Sequence, residues 1–198
     1  NGALTLGRTG TMTISAIIAD GGTAGSLVMV GTGTLTLSGA NTFTGGVTIK
    51  AGTVSLTTST SAGGGSGTGA ITLGDTSGST AATLKGDGRT FANPIVLADR
   101  ANYTGVITIG GSAHLCIFSG GITGSNDFNI YSTSSYRVTF STASVNNAGT
   151  ITNLGSVAEY NLISAVIGAS VTGVIQNLST SDLYLSGNNV DFAGGVTI

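Results

Sequence analysis

The residues able to do chemistry are few and far apart. The acids are Asp20, Asp75, Asp87, Asp99, Asp127, Glu159, Asp182 and Asp191. Cleaving a glycoside needs two carboxyl groups close enough to share acid and base work. No Asp-Asp or Asn-Thr-Asp string supplies such a pair. Stacking of distant segments could still gather acids, and a carbohydrate-active site would draw first on Arg100 with Asp99, or Arg89 with Asp87. His114 and Cys116 form a His-x-Cys pair that strict alternation would put on one face of a strand. As metal ligands they lack a second cluster. As a nucleophile and its base they lack an orienting third group. The competing reading packs Cys116 inward as a small apolar residue.

Other motifs carry less. The run Gly63-Gly64-Gly65-Ser66-Gly67-Thr68-Gly69 lacks the Lys-Ser/Thr and the helix that complete a phosphate loop, and reads as a corner or loop. No Gly-Gly-x-Gly-x-Asp calcium repeat occurs. Lys85-Gly86-Asp87-Gly88-Arg89 contains only a three-residue adhesive look-alike, and Asn102-Tyr103-Thr104 and Asn177-Leu178-Ser179 are formal glycosylation sequons. Tyr131, Tyr136, Tyr160 and Tyr184 could stack on sugars or pack against a neighbouring molecule, yet Tyr also has high strand propensity. Nothing in the sequence brings the four to one face. The expectation is therefore no enzyme, with no catalytic residue, cofactor or metal.

Composition narrows the class. The chain has 198 residues with 34 Gly, one Pro and no Trp, and only 7% are charged, against about 25% in typical soluble proteins. Hydrophobic residues at 40% and a net charge of −2 exclude intrinsic disorder. The absence of a Gly-x-y period excludes collagen. Six Lys+Arg against eight Asp+Glu argue against a nucleic-acid partner. The best apolar run, Ile163 to Ile175, is too short and too interrupted for a transmembrane helix. Asn1-Gly2-Ala3-Leu4 has neither the basic start nor the apolar core of a secretion signal. A single cysteine, Cys116, cannot form a disulfide within the chain.

The elements that would position these residues are short strands. Good helix formers are scarce. Aliphatic residues alternate with polar ones in Ala3-Leu4-Thr5-Leu6, Leu35-Thr36-Leu37, Val47-Thr48-Ile49, Ala70-Ile71-Thr72-Leu73, Val106-Ile107-Thr108-Ile109 and Leu183-Tyr184-Leu185. Gly-rich turns separate them, as at Gly31, Gly45-Gly46, Gly110-Gly111 and Gly194-Gly195. The pattern predicts an all-β sandwich, barrel or solenoid.

A repeat chooses the solenoid. Residues 35–49 read LTLSGANTFTGGVTI and residues 183–198 read LYLSGNNVDFAGGVTI. The shared positions are Gly39, Asn41, Phe43, Gly45 and Gly46 in the first copy, and Gly187, Asn189, Phe192, Gly194 and Gly195 in the second. They are structural rather than chemical. Such a motif suits a parallel β-helix, with Val, Ile and Leu inside, Gly at sharp corners, and Asn41 and Asn189 in left-handed turns that bond neighbouring coils. Coils of roughly 20–25 residues would number about 8 to 10, in a rod ~40–50 Å long at ~4.8 Å per coil.

The stretch GTGTLTLSGANTFTGGVTIKAGTVSL, Gly31 to Leu56, resembles the autotransporter-associated β-strand repeat, also called the passenger-associated transport repeat. Residues 183–198 match it less well. The stretches Ser61 to Gly78 and Arg89 to Leu97 are similar to spacer sequence between such repeats. The resemblance implies a right-handed parallel β-helix in the secreted passenger of a bacterial surface protein. Its expected place is outside the cell or at the surface of a Gram-negative bacterium. The expected role is a stiff, non-catalytic stalk, fibre or adhesin shaft, with a carbohydrate-active or carbohydrate-binding β-helix as the alternative.

The ends suggest a partner. After Gly194-Gly195-Val196-Thr197-Ile198, the first copy predicts a segment of the form that opens the chain, Asn1-Gly2-Ala3-Leu4-Thr5-Leu6. Residues 1–198 are therefore expected to be a single β-helix segment, either excised from a longer solenoid or one unit of a tandem array. Neighbouring repeats or further copies would stack on it end to end or sideways, and host or matrix glycans could contact its surface.

Overall fold

A computed structural model describes residues 2–57, 66–111, 113–132, 136–156, 159–177 and 180–198. It is an all-β solenoid of about eight coils, with every strand pairing parallel and no helix among the described residues. Three sheets run along its length. The first orders Ala3–Leu6, Ser26–Met29, Val47–Ile49, Ile71–Leu73, Ile95–Leu97 and Ile122–Gly124. The second has nine strands: Thr11–Ile14, Thr34–Leu37, Gly52–Leu56, Ala82–Gly86, Ile107–Gly111, Phe128–Ser132, Thr150–Asn153, Gly173–Gln176 and Gly195–Thr197. The third holds Thr90–Phe91, Cys116–Phe118, Val138–Phe140, Asn161–Ile163 and Leu183–Leu185. Isolated bridges from Ile122 to Val145 and from Val145 to Ile167 carry the first sheet two coils further.

Register steps along the second sheet give the coil lengths. They run 23 residues from Thr11 to Thr34, 19 to Thr53 and 30 to Thr83. They then run 25 to Thr108, 21 to Asn129, 23 to Thr152, 23 to Ile175 and 22 to Thr197. The range is wider than the 20–25 read from the sequence, because corners absorb the excess while strands keep register. The 30-residue step contains the Gly-rich run, of which Gly63, Gly64 and Gly65 lie outside the described residues.

The period of two in each strand sends alternate side chains inward. Leu35, Val54, Leu84, Ile109 and Ile130 stack in register as one internal ladder and are all buried. Outside the same strands, Thr11, Thr34, Thr53, Thr83 and Thr108 form a matching row. Threonine suits this row because a β-branched residue packs well against its ladder neighbours. The third sheet adds an aromatic stack: Phe91, Phe118 and Phe140 lie 5.6 Å apart ring to ring. Phe128 meets Phe140 edge-on at 5.8 Å. Each buried ring contributes about 1.5–3 kcal/mol.

The last coils fill the interior differently. The position above Ile130 is Asn153, followed by Gln176. Asn153 donates to Gln176 Oε1 (2.9 Å) and to the Ser181 carbonyl (2.7 Å), and accepts from Asn161 Nδ2 (2.8 Å). Asn161 also donates to Ser132 Oγ (3.3 Å) and accepts the Val138 amide (2.9 Å). Asn153, Asn161, Ser132 and Ser181 are fully enclosed. Such a cluster is tolerated inside because its members satisfy one another.

Candidate functional site

The repeat motif does its work between coils. Asn41 Oδ1 accepts the Ile18 amide at 2.7 Å, and Asn189 Oδ1 accepts the Ile167 amide at 2.8 Å. Each amide thus caps a backbone N–H of the coil before it. Neither asparagine has the left-handed backbone expected of it; Thr142 is the one non-glycine with positive φ among the described residues. A side-chain amide reaches the neighbouring coil from ordinary backbone angles, so no left-handed turn is required. A Cβ on Gly39 would lie 2.2 Å from the Ala16 carbonyl oxygen, and one on Gly187 would lie 2.1 Å from that of Ala165. Gly45 and Gly194 are crowded by backbone in the same way. Gly46, at φ +82°, would set a Cβ 2.3 Å from the Ala70 carbonyl oxygen, whereas Gly195 has nothing within 4 Å. Phe43 is buried, and Phe192 is partly buried against the core.

The acids do not pair as the sequence suggests. Arg100 reaches Asp127 at 2.9 Å, not Asp99, which accepts from Ser125 Oγ and the Ala101 amide. Asp87 meets His114 Nδ1 at 2.7 Å rather than Arg89. Asp75 pairs with Lys50 at 3.0 Å, and that hydrogen bond holds its carboxyl below the usual carboxylate value. Asp20 accepts the Gly25 amide at 2.6 Å and the Thr44 hydroxyl at 2.7 Å. The Gly25 amide first, and Thr44 second, hold it low as well. These five carboxylates thus serve separate local contacts.

His114 and Cys116 are separated, contrary to simple alternation. The strand begins at Cys116, so His114 lies in the preceding turn, exposed, while Cys116 points inward and is fully buried. Burial, helped by the charge of Asp87, pushes the Cys116 thiol far up from its ordinary value, leaving it an inert core residue. No group of three His, Cys, Asp or Glu able to hold a metal occurs among the described residues. Of the sequons, Asn102 sits exposed in a turn around buried Tyr103. Leu178 and Ser179 lie outside the described residues.

The tyrosines do converge, which sequence spacing left unread. Tyr160 and Tyr184 lie 4.5 Å apart, and the Arg137 guanidinium sits 5.0 Å over the Tyr160 ring and donates to its hydroxyl. Tyr136 meets the His114 ring at 5.6 Å. All flank the third sheet, with Tyr136 47% and Tyr184 52% exposed. Tyr131 belongs to the second sheet instead. An open groove on the third-sheet face is lined by Arg89, Thr90, His114, Leu115, Ile117 and Tyr136. The signal was present: 24 residues separate Tyr136 from Tyr160 and Tyr160 from Tyr184, about one coil each. Arg137 gave no comparable cue, since its neighbour Tyr160 is 23 residues away and unlike it in type.

No curated protein and no solved structure matches the chain. Residues 27–56 match the family model described as Passenger-associated-transport-repeat. That stretch covers strands on the first and second sheets and then the next coil of both, with Gly39, Asn41, Phe43, Gly45 and Gly46 at the corner between. Residues 27–56 are thus a passenger-associated transport repeat, set within a β-solenoid.

Proposed function

We propose that this segment is a stiff, non-catalytic shaft in the passenger region of an exported bacterial protein, displayed at the surface of a Gram-negative cell. The observation that carries the reading is the unbroken parallel register of nine strands in the second sheet. Every coil there is hydrogen-bonded to the next, so bending or shearing the rod must break several bonds together. Acids occupied at separate corners favour a mechanical role over a chemical one. Low charge and an outer threonine row give a neutral flank against which further copies could pack, and the coil edges at either end could stack on neighbouring repeats. Antibody against the 198-residue chain should label intact cells of the source bacterium. Duplicating one coil should lengthen the particle by about 4.8 Å in X-ray scattering. Labelling only after permeabilisation, or an unchanged longest dimension, overturns the reading.

A second reading adds adhesion. The ring contacts of His114, Tyr136, Tyr160 and Tyr184 on one face favour contact with glycans, whose apolar ring faces stack on aromatic side chains. Retention of the chain on a polysaccharide column, lost on Tyr184→Ala, is the expected result. Equal retention of both proteins counts against it.

A further inference from the structure

We infer that the third-sheet face is a binding track for a carboxylate-bearing glycan, with Arg89 as the carboxylate anchor. This rests on the adhesive reading above and names its ligand class.

The face is built coil by coil. Arg89 precedes the strand Thr90–Phe91, His114 lies two residues before Cys116–Phe118, and Tyr136 and Arg137 precede Val138–Phe140. Tyr160 precedes Asn161–Ile163, and Tyr184 lies within Leu183–Leu185. Five successive coils therefore each present an aromatic ring or a cationic side chain, over roughly 19 Å at ~4.8 Å per coil. That repeat is close to the length of one sugar unit in an extended polysaccharide. Consecutive units can then meet consecutive coils.

Charge selects the class of sugar. Of the cations on this face, Arg137 is committed to the Tyr160 ring and hydroxyl, and the His114 Nδ1 edge is taken by Asp87. Arg89 has no hydrogen-bond or ion-pair partner among the described residues, yet it lines the groove beside His114 and Tyr136. An unpaired guanidinium beside an aromatic platform suits a planar carboxylate, which it can bind through two parallel hydrogen bonds. The acids nearby are disposed to match. Asp87 is engaged by His114, while Glu159 and Asp182 lie toward the opposite end, beside Tyr160 and Tyr184. There they can accept hydroxyl hydrogen bonds from neutral sugars. The chain's net charge of −2 gives no general attraction for a polyanion, so binding of one must be local.

The test compares polygalacturonate with neutral galactan of similar length, using the 198-residue chain. Polygalacturonate should bind about tenfold or more tightly, the scale of a charge-assisted hydrogen-bond pair. Arg89→Gln should bring it down to the galactan level. Tyr136→Ala and Tyr184→Ala should weaken both polymers, and Lys50→Gln on the first sheet should change neither. These side chains are exposed or half-buried, so unchanged circular dichroism serves as the folding check. If Arg89→Gln has no effect while the tyrosine variants weaken both polymers, the carboxylate anchor falls and the glycan contact survives. If neither polymer binds, both fall. If Lys50→Gln weakens binding equally, the attraction is diffuse and the track is overturned. If Tyr184→Ala instead dissociates a self-associated species in sedimentation, the face belongs to a second copy and the inference is overturned.

Discussion

The two copies of the repeat motif occupy different faces of the same solenoid. In residues 35–49 the opening Leu-Thr-Leu lies in the second sheet and the closing Val-Thr-Ile in the first. In residues 183–198 the opening Leu-Tyr-Leu lies in the third sheet and the closing strand Gly195–Thr197 in the second. The path is the same, but turned by one face about the axis. Asn41 and Asn189 nonetheless make the same bond to the coil before, and Gly39 and Gly187 make the same close backbone approach. The motif therefore specifies a corner and its seat on the preceding coil, not a place in a particular sheet. What differs is the support from later residues. Gly46 is crowded by Ala70 of the following coil, and Phe43 is sealed, while Gly195 is open and Phe192 is half covered.

That difference can be tested by matched substitutions. Phe43→Ala should have the largest effect, about 3–5 kcal/mol in denaturant unfolding, because it empties a fully packed site. Phe192→Ala should cost well under half of that; equal losses would show that the two seats are equally enclosed. Gly46→Ala comes next, at more than about 1–2 kcal/mol, since φ +82° is unfavourable for an L-residue and the added carbon meets backbone. Gly195→Ala should fall within a few tenths of zero. A costly Gly195→Ala would mean that the second corner is more crowded than its geometry indicates.

Much of this architecture was legible, for a physical reason. Strands such as Leu35-Thr36-Leu37 and Val47-Thr48-Ile49 alternate cleanly because one side faces a dry core and the other faces water. The rule fails where the interior is polar. Asn153 and Asn161 read as outward residues, yet both are enclosed because a partner amide stands in the next coil or across the interior. Alternation within one strand carries no information about that partner. The two-residue strand Thr90–Phe91 is likewise too short to show a period, though it opens the phenylalanine stack. The binding face was illegible residue by residue, because its members meet across coils whose lengths vary from 19 to 30 residues. His114 was assigned to a strand for the same reason: the sequence shows the alternation but not where the turn ends.

The smallest expected effect also separates the two motif copies. Asp20 clamps the first copy to the coil before it, accepting the Gly25 and Thr44 amides and the Thr44 hydroxyl. The second copy has Ala193 near the position of Thr44, and no carboxylate clamp on it is found among the described residues. Asp20 is held below its ordinary value of 3.8 by those donors. A carboxyl with a lowered folded pKa favours the folded state only while it is ionised in that state. Its contribution is therefore complete above pH 3.8 and disappears as the pH falls through the lower folded value. The amide resonances of Gly25 and Thr44 should titrate together with a midpoint below 3.8, while the Ile167 amide, bonded to the uncharged Asn189, should show no matching step. Asp20→Asn should abolish the step at Gly25 and Thr44 and leave Ile167 as before. A midpoint above 3.8 would mean that the carboxyl is not clamped in solution, and the two corners would then differ in sequence but not in how they are held.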